Sequence, residues 1–521
     1  MRGDPDHSAA ERALEAGTLA RALAVAAGAA PARVYASFDG APLTLAELDA
    51  RANAIAAALL ARGLAPGSRV AVMMRNSPES LALIVGLSRI GAVWVPINVQ
   101  QRGDGLRYVL DHCQPALIVL DADVAGLVAE CGAAADPGLV VVNDAAGLGR
   151  WLAHPADPVP ASGGPDALFA IMYTSGTTGP PKGVMVTHRM FWLAAAGVSA
   201  VADARDGDTF LVWEPLFHIG GAQLLGLPLL HAIELAFVER FSASRFWSQV
   251  HAHRASHIHY LGGILQILLK QPASAQERGH RVRVAWGGGC PPDIFSEVER
   301  RFGVTVRECY GMTECSSITT YSASGEPGVV GTALPWFDVA IESPEGTPLA
   351  PGTRGEIVVR TSLPGAIFEG YFRNPEATAA ALDRGAMRTG DLGSLRADGT
   401  LLFHGRIKDS VRCMGENVSA WEVEHVVNDH PAVEECAIIG VAADIGEQDI
   451  KLFVKPVKGA TLDPADLIDW LAPRLARYQL PRYVATVDAF ERTPSKRIMK
   501  HRLDPSRDAC WDRLSAGARG R

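Results

Sequence analysis

The sequence lacks the features that mark several common classes of protein. Its eight cysteines form no Cys-x-x-Cys pair and no other metal-ligand spacing, so we expect unpaired thiols in a reducing compartment. It has no run of lysines and arginines, and its 49 basic and 57 acidic residues give a net charge of −8. Because phosphate backbones are bound by extended basic surfaces, we expect no nucleic-acid partner.

We also recognise no targeting segment and no membrane-spanning segment in the sequence. The first 17 residues carry acidic groups where a secretory signal needs basic ones, and no apolar stretch follows before Arg21. The longest apolar run, residues 81–97, contains Ser88 and Arg89 and then turns β-branched, which is not typical of a helix that crosses a bilayer. We therefore expect a cytoplasmic protein without membrane insertion.

The chain of 521 residues is too long for one hydrophobic core and predicts at least two domains. Thr44 and Glu47 form a capping-box pattern that predicts the start of a helix. Residues 70–74, 78–90 and 92–97 then predict a strand, a helix and a strand. The same alternation continues along the amino-terminal half, so we expect an α/β fold with helices on the faces of a parallel sheet.

The carboxy-terminal part has a different pattern. From about residue 327 short alternating runs lie between turn residues, as at 355–360 and 400–406, which predicts β hairpins. Beyond residue 406 a helix, two strands and a second helix are predicted at 420–428, 435–441, 451–456 and 464–477. We therefore predict a large domain of layered α/β and β-rich subdomains at 1–405, a hinge at 406–409, and a small mobile α+β domain at 410–521.

Residues 173–183 (YTSGTTGPPKG) carry the clearest chemical signal. Backbone N–H groups and hydroxyls in such a loop can surround phosphate oxygens while an ammonium neutralises their charge. A Walker A loop would need glycine in place of Pro181 and Ser or Thr in place of Gly183, so we predict a different phosphate loop. Its candidate nucleotide-binding residues are Thr174, Ser175, Gly176, Thr177, Thr178 and Lys182.

At this loop the chain resembles the adenylate-forming superfamily, which includes acyl-CoA synthetases, luciferases and the adenylation domains of peptide synthetases. The resemblance extends over about residues 30–505. Its further segments, in the family's order, are 310–314 (YGMTE), 389–391 (TGD), 405–409 (GRIKD) and 414–419 (MGENVS).

The resemblance implies a role for each segment. Thr313 would contact the α-phosphate of ATP, and Glu314 would help to hold Mg²⁺. Asp391 would accept hydrogen bonds from the ribose hydroxyls, Arg406 can add a fork of donors, and Lys408 would act at the hinge. The implied ligands are ATP or AMP, as the acyl-adenylate, together with coenzyme A and Mg²⁺. Further candidates on the cofactor side are Gly288, Gly289, Glu308, Cys309, Tyr310, Gly311, Met312, Gly415 and Glu416.

The predicted pocket for the acyl group depends on a further segment that resembles the same family. Residues 214–218 (EPLFH) are similar to the segment in which an aromatic or histidine side chain stands near the substrate carboxylate, which implies that role for His218. Clustered glycines suggest room for a ligand, so we expect a bulky or cyclic carboxylic acid rather than acetate. The candidate pocket residues are Trp213, Phe217, Gly221, Gly263 and Gly287.

Four histidines lie close together at positions 251, 253, 257 and 259. No aspartate, glutamate or cysteine nearby in the sequence completes a plausible zinc set. We therefore expect these side chains at strand edges and on helix surfaces rather than around a metal.

The sequence departs from the family pattern near its end. Family members that adenylate have a Pro-x-Gly-Lys type segment whose lysine bridges the carboxylate and the α-phosphate. An ungapped match places Lys496 at the glycine position and Arg497 at the lysine position. A planar guanidinium does not replace a compact ammonium in a tight site, so we predict that adenylation is weakened or supplied by a separate enzyme. A shifted register would let Lys496 or Lys500 take the role instead.

The segments for hinge motion and thioester formation match the family, so we expect the CoA-transfer step to be retained. The predicted function is that of an acyl-CoA ligase-like enzyme that converts a carboxylic acid through an acyl-adenylate to a thioester, as a monomer or homodimer. Two alternatives stay open: a stand-alone adenylation enzyme that loads a carrier protein, and a non-catalytic nucleotide-binding homologue.

Overall fold

A computed structural model describes most of the chain, and it divides into two compact units. The first unit comprises the residues up to 174, 181–339 and 359–387, and the second comprises 340–358 and the residues from 388 onward. The described residues are 5–133, 139–153, 157–174, 181–261, 263–407, 410–413, 416–443, 448–475, 477–492 and 498–517.

An amino-terminal sheet in the first unit is parallel except for its last strand. The predicted strand–helix–strand unit is confirmed, since the strand before the helix and the strand after it pair in parallel. The final strand runs antiparallel to its neighbour. In spatial order the strands are Val140–Asn143, Leu117–Asp121, Arg69–Met73, Val93–Pro96, Leu168–Thr174 and Lys182–Thr187.

A central sheet in the same unit has a parallel core with short antiparallel strands at both ends. Its strands, in spatial order, are Thr332–Ala333, Thr320–Tyr321, Thr305–Tyr310, Val284–Gly288, His257–Leu261, Thr209–Val212, Glu234–Phe237, Val34–Phe38 and Ala41–Thr44. Because the inner strands are parallel, their carboxyl ends meet at one edge of the sheet.

The helices of the first unit follow local signals in the sequence. The predicted capping box forms, because the Thr44 N–H donates to the Glu47 carboxylate at 2.8 Å and the Glu47 N–H donates to the Thr44 hydroxyl at 3.2 Å. The helix predicted at 78–90 has those bounds, and Gly91 ends it with φ 70°. The helices are Pro5–Glu15, Leu19–Ala29, Leu45–Ala61, Pro78–Ile90, Gly103–Cys113, Ala125–Glu130, Leu148–Leu152, His188–Ala202, Ile219–Ala222, Leu227–Leu230, Phe246–Ala252, Ile264–Leu269, Pro292–Phe302 and Pro375–Ala381.

The β-rich region predicted after residue 327 contains the strands Phe337–Glu342, Gly355–Thr361, Leu382–Asp383, Ala386–Leu395 and Leu401–Arg406. The last two strands form an antiparallel hairpin, with Asp391 opposite Arg406, and its paired residues 391–395 and 401–406 belong to the second unit. This confirms the hairpin expected around residues 400–406.

The carboxy-terminal part of the second unit folds around its own apolar core, to which Val423, Leu452 and Leu467 contribute. One predicted helix is shorter than expected, because it ends at Leu471 instead of residue 477. Pro473 explains the difference, since proline lacks the N–H that the next helical turn requires. The strands are Ser410–Cys413, Glu416–Ser419, Val433–Ala442, Gln448–Pro456, Tyr483–Thr486 and Trp511–Asp512, and the helices are Ala420–Asn428, Pro464–Leu471 and Arg513–Gly517. In the described part of the whole chain, every helix is too short or too polar to cross a membrane.

Candidate active site

The carboxyl edge of the central sheet brings together residues that are far apart in the sequence. The strands Thr209–Val212, His257–Leu261, Val284–Gly288 and Thr305–Tyr310 are consecutive neighbours in this sheet. Ligands of open parallel sheets bind beyond such carboxyl ends. The predicted site residues that lie at or just after these strand ends are Trp213, Phe217, His218, Gly221, Gly263, Gly287, Gly288, Gly289, Glu308, Cys309, Tyr310, Gly311, Met312, Thr313 and Glu314.

Glu314 is a buried acid whose position is fixed from two sides. The Tyr371 hydroxyl donates to the Glu314 Oε1 atom at 2.8 Å. The Phe368 N–H donates to the Glu314 carbonyl at 2.9 Å. Thr313 and Glu314 are 8% and 7% exposed, so this pair is almost enclosed by protein. A carboxylate held in this way is a hard oxygen ligand of the type that Mg²⁺ prefers.

Tyr371 also contacts the lysine of the predicted phosphate loop. The Lys182 Nζ atom lies 4.9 Å from the centroid of the tyrosine ring, which is a cation–π distance. The chain around Tyr371 pairs with the strand that begins at Lys182, through a Val184–Tyr371 bridge and a 2.8 Å bond from the Phe372 N–H to the Gly183 carbonyl. The Tyr371 cluster, defined as Lys182, Glu314 and Tyr371, therefore gathers an ammonium and a carboxylate around one phenol.

The hydroxyl-rich loop connects two antiparallel strands. Thr174 and Lys182 are direct partners in that pairing, and the Thr174 hydroxyl donates to the Lys182 carbonyl at 3.4 Å. This connection differs from the strand-to-helix turn of a Walker A loop, in agreement with the sequence argument. The candidates Ser175, Gly176, Thr177 and Thr178 lie outside the described residues.

Glu308 supports the glycine-rich turn from within the protein. One carboxylate oxygen accepts hydrogen bonds from the Tyr260 hydroxyl and, at 2.8 Å, from the Cys290 N–H. The other accepts from the Gly289 N–H at 3.1 Å. Burial raises the pKa of Glu308 to about 7, although these donors act in the opposite direction. The contacts give Glu308 a positioning role, and a direct contact with the nucleotide stays a prediction.

Two of the glycines assigned to the pocket have a backbone reason to be glycine. A Cβ atom on Gly287, at φ 158°, would lie 1.9 Å from the Tyr260 carbonyl oxygen on the neighbouring strand. A Cβ atom on Gly221 would lie 2.4 Å from the Pro215 carbonyl oxygen. These glycines permit close backbone packing, so they are not evidence of empty space. The expected bulky acid stays a prediction.

The clustered histidines are arranged only partly as expected: His251 lies on the surface of the helix Phe246–Ala252, as predicted. His257 and His259 lie on an interior strand of the central sheet and are buried, whereas strand edges were expected, so that prediction is wrong. His257 stacks on Phe210 at 4.3 Å, and burial lowers its pKa. His259 pairs with the buried Glu214 carboxylate. Residues 257–260 of this interior strand are all buried, so a histidine on either face of it is enclosed by protein.

The second unit contains a separate predicted pair, Asp391 and Arg406. Their strands place them opposite each other, and Arg406 Nε lies 3.5 Å from Asp391 Oδ1. Asp391 is 5% exposed, and its N–H donates to the Thr389 hydroxyl at 3.1 Å. The carboxylate and the guanidinium that the resemblance assigns to the ribose are therefore adjacent.

Comparison with known proteins places this chain in a family. A family model for AMP-binding enzymes matches residues 23–372, and a model for the AMP-binding enzyme C-terminal domain matches residues 422–497. The chain belongs to the AMP-binding enzyme family.

Relatives of this AMP-binding enzyme are similar over most of their length. Long-chain-fatty-acid–CoA ligase FadD13 of Mycobacterium tuberculosis is 32% identical over 88% of this chain and 92% of its own. Fatty acid–[acyl-carrier-protein] ligase ScoC of Streptomyces coeruleorubidus is 30% identical over 91% of this chain and 92% of its own. The structure of O-succinylbenzoate CoA synthetase from Bacillus subtilis with AMP has a TM-score of 0.83 and 25% identity, over 94% and 98% of the two chains. These similarities confirm the predicted adenylate-forming family, the mixed α/β fold and the assignment to the ligases.

Several predicted residues of this AMP-binding enzyme fall outside the described part. They include the hinge residue Lys408 and Gly415, and also Lys496 and Arg497 of the divergent segment. Glu416 begins the strand Glu416–Ser419. The hinge, the domain boundary and the effect of Arg497 therefore stay predictions.

The alternative lysine of the divergent segment is described. The Lys500 Nζ atom lies 2.7 Å from Glu424 Oε1, and the Ile438 N–H donates to the same carboxylate oxygen at 2.7 Å. This ion pair lies within the second unit. Lys500 would have to leave Glu424 before it could replace the missing lysine.

Sequence reasoning missed three residues that contact predicted residues of the candidate site in this AMP-binding enzyme or lie beside them: Tyr371, Glu214 and His259. Tyr371 follows Gly370 and precedes Thr378, whose hydroxyl accepts the Tyr371 N–H at 2.9 Å. This local bond does not mark Tyr371 as a site residue, because its hydroxyl bonds to Glu314, 57 residues earlier in the chain. The pairing of Glu214 with His259 spans 45 residues and has no local pattern that would announce it.

Proposed function

We propose that the protein converts a carboxylic acid and ATP into an acyl-adenylate and pyrophosphate, and then converts the adenylate and CoA into an acyl-CoA thioester and AMP. The observation that carries this proposal is the Tyr371 cluster, in which a buried carboxylate and the lysine that follows the hydroxyl-rich segment in the sequence contact the same tyrosine. Such a set of groups suits a polyphosphate and its metal. The similarity to acyl-CoA ligases supports the thioester as the product.

In the first step a carboxylate oxygen of the acid attacks the α-phosphorus, and the bond to the pyrophosphate oxygen breaks. Lys182 would neutralise phosphate charge, and Thr313 would donate to an α-phosphate oxygen. Tyr371 would keep Glu314 in position by its hydrogen bond. Glu314 would hold Mg²⁺, which when bound offsets negative charge on the phosphates.

In the second step the CoA sulfur attacks the carbonyl carbon of the adenylate. The bond from that carbon to the phosphate oxygen breaks, AMP leaves, and the thiol proton passes to solvent. Asp391 would accept the ribose hydroxyls with Arg406 beside it, which holds the nucleotide in place. Lys408 would be the hinge between the arrangements that serve the two steps.

We further propose that the first step is slow in this protein. In the ungapped match to the family pattern, Arg497 takes the position of the lysine, and its planar guanidinium is wider than an ammonium. An adenylate made by a separate enzyme would then be the main source for thioester formation. The second step does not use that lysine, so it would keep its rate.

Loading of a carrier protein is a second candidate, because one relative is a fatty acid–[acyl-carrier-protein] ligase. Both functions share the adenylate and differ in the thiol that accepts the acyl group. Parallel assays with CoA and with a phosphopantetheinylated carrier protein decide between them.

The proposal is tested by separating the half-reactions. We expect thioester formation from supplied acyl-AMP to exceed formation from acid plus ATP by about 100-fold, and pyrophosphate exchange to be weak. Replacing Lys496 by Gly together with Arg497 by Lys should raise exchange and leave the transfer step nearly unchanged. Fast exchange that Lys496→Ala abolishes would contradict the proposal, because Lys496 would then have taken over by a shifted register. Failure of every acyl-AMP tested to give a thioester with either acceptor would exclude the ligase function.

A further inference from the structure

Buried polar atoms without partners concentrate around one histidine of the first unit. Glu214 is 2% exposed, and its Oε2 atom has no hydrogen-bond partner among the described residues. The same holds for the Trp286 indole nitrogen and for the Gln223 Oε1 atom. Buried polar groups in folded proteins are nearly always paired, so several open ones at a single place require an explanation.

Glu214 and Trp286 contact His259, and together with Gln223 they form the His259 cluster, defined as Glu214, Gln223, His259 and Trp286. One ring nitrogen of His259 pairs with Glu214 Oε1, and the ring stacks on Trp286 with centroids 4.0 Å apart. The side-chain amide of Gln223 donates to the Gly220 carbonyl at 3.1 Å. A Cβ atom on Gly220 would lie 3.7 Å from His259 Cε1.

Neighbouring side chains fix the cluster through hydrogen bonds to its backbone. These bonds leave the unpaired side-chain atoms without partners. Asn76 donates to the Glu214 carbonyl at 2.8 Å and accepts the Leu216 N–H at 3.0 Å. The Trp213 indole N–H donates to the His259 carbonyl at 3.1 Å. All three hydrogen bonds involve backbone atoms of Glu214, Leu216 or His259, so the side-chain oxygen of Glu214 stays available within a preorganised frame.

The cluster lies among the residues predicted for the acyl pocket. Glu214 lies between the candidates Trp213 and Phe217 in the sequence, and Trp286 directly precedes Gly287. The Trp213 ring is 6.3 Å from the His259 ring. A purely hydrocarbon acyl chain beside this cluster would leave a carboxylate oxygen buried and unpaired, which costs free energy.

We propose that the acyl group of the substrate carries a hydrogen-bond donor, a hydroxyl or an N–H, that binds Glu214 in the His259 cluster. This inference rests on the proposed function and names the class of acid that it activates. The Glu214 and Gln223 oxygens accept hydrogen bonds, and the Trp286 nitrogen donates one. A hydroxyl can satisfy both kinds of partner, whereas a methyl group of similar size satisfies neither.

The inference is tested by binding, so that the slow first step does not interfere. The probes are acyl-sulfamoyladenosines, stable analogues of the adenylate, made in pairs that differ by a hydroxyl in place of a terminal methyl. Acyl chains from four to ten carbons, together with the pair 4-hydroxyphenylacetyl and 4-methylphenylacetyl, place the hydroxyl at different depths. We expect at least one hydroxyl member to bind ten times more tightly than its methyl partner, measured by calorimetry.

Two variants locate the preference within the protein. Glu214→Met and Gln223→Met remove the acceptors with little change of size, and each should lower the hydroxyl preference at least threefold. Trp94→Phe is the matched control, because the Trp94 nitrogen is also buried and unpaired but lies in the amino-terminal sheet. This control should leave the preference unchanged.

The outcomes separate this inference from the proposed function. Equal binding of hydroxyl and methyl members at every position, with tight binding of the adenosine part, would overturn the inference alone. Water would then be the partner of the open atoms. Failure of all probes to bind would overturn the proposed function and the inference with it. If the Glu214 and Gln223 variants do not fold, the comparison of the paired probes on the unmodified protein still decides.

Discussion

The Tyr371 cluster and the His259 cluster differ in how their buried polar groups are satisfied. In the first, the Glu314 carboxylate accepts a hydrogen bond and the Lys182 ammonium lies over an aromatic ring. In the second, Glu214 keeps one oxygen without a partner among the described residues. ATP brings the same phosphates to the reaction whichever acid is activated, whereas the acids differ between enzymes. We therefore expect the groups that bind phosphate to be supported by the protein itself, and the unpaired atoms of the His259 cluster to be paired by the acid, as proposed above.

The largest effect is expected from Glu314→Gln, which removes the charge from the Tyr371 cluster and keeps the size of the side chain. Acyl-CoA formation from acid and ATP should fall by about 100- to 1,000-fold, because a preorganised charge near the phosphates is lost. Steady-state thioester assays with saturating acid measure this. Glu47→Gln, in the exposed capping box, should keep wild-type activity. A fall of less than threefold for Glu314→Gln would contradict this prediction, because the charge in the Tyr371 cluster would then contribute little to the reaction.

A second prediction concerns Glu308, which supports the turn at Gly289. Because burial raises the pKa of Glu308 to about 7, the folded chain keeps a proton that the unfolded chain releases above about pH 4.5. The free energy of unfolding therefore falls as the pH rises through this range. Glu308→Gln stays neutral, so its loss of stability between pH 5 and pH 8 should be smaller by about 2–3 kcal/mol.

Urea unfolding of both proteins at the two pH values measures the difference. Equal pH dependence of the wild-type protein and the Glu308→Gln variant would show that Glu308 is ionised in the folded state. Glu299→Gln is a suitable control, because Glu299 also accepts a backbone N–H, from Val306 at 3.0 Å.

The smallest effect is expected from Tyr371→Phe, which keeps the ring and removes the hydroxyl bonded to Glu314. One such bond to a charged group is worth about 1.5–3 kcal/mol, so kcat should fall by about 10- to 100-fold. The preference for hydroxyl over methyl acyl groups should not change, because it belongs to the His259 cluster. Rates with paired acids test this separation. A shift of selectivity together with rate would show that the two clusters are not independent.

Local structure could be predicted where one segment holds the whole signal. The helices Pro78–Ile90 and Ala420–Asn428 have the predicted bounds, since periodic apolar residues define them. The capping box at Thr44 likewise needs only four consecutive residues. The helix Pro464–Leu471 is shorter than predicted. The prediction followed the apolar periodicity and did not include the effect of Pro473, which ends the helix.

The clusters could not be predicted in the same way. Tyr371 and Glu314 are 57 residues apart, and only the fold makes a hydrogen bond between them. Gly287 was assigned to substrate binding, although the adjacent strand already requires a glycine there. Family motifs identified Lys182 and Glu314 as individual residues. They carried no information about the phenol that joins them.

The pairing around Tyr371 also has a consequence for solubility. Lys182–Thr187 is the last strand of the amino-terminal sheet, and an uncovered last strand offers its N–H and C=O groups to other molecules. The Phe372 N–H donates to the Gly183 carbonyl of that strand at 2.8 Å. The Met185 N–H of the same strand donates to the Gly370 carbonyl at 3.3 Å. The segment that holds Tyr371 therefore also blocks edge-to-edge association of this sheet. Substitutions that detach it should promote aggregation as well as slow the reaction.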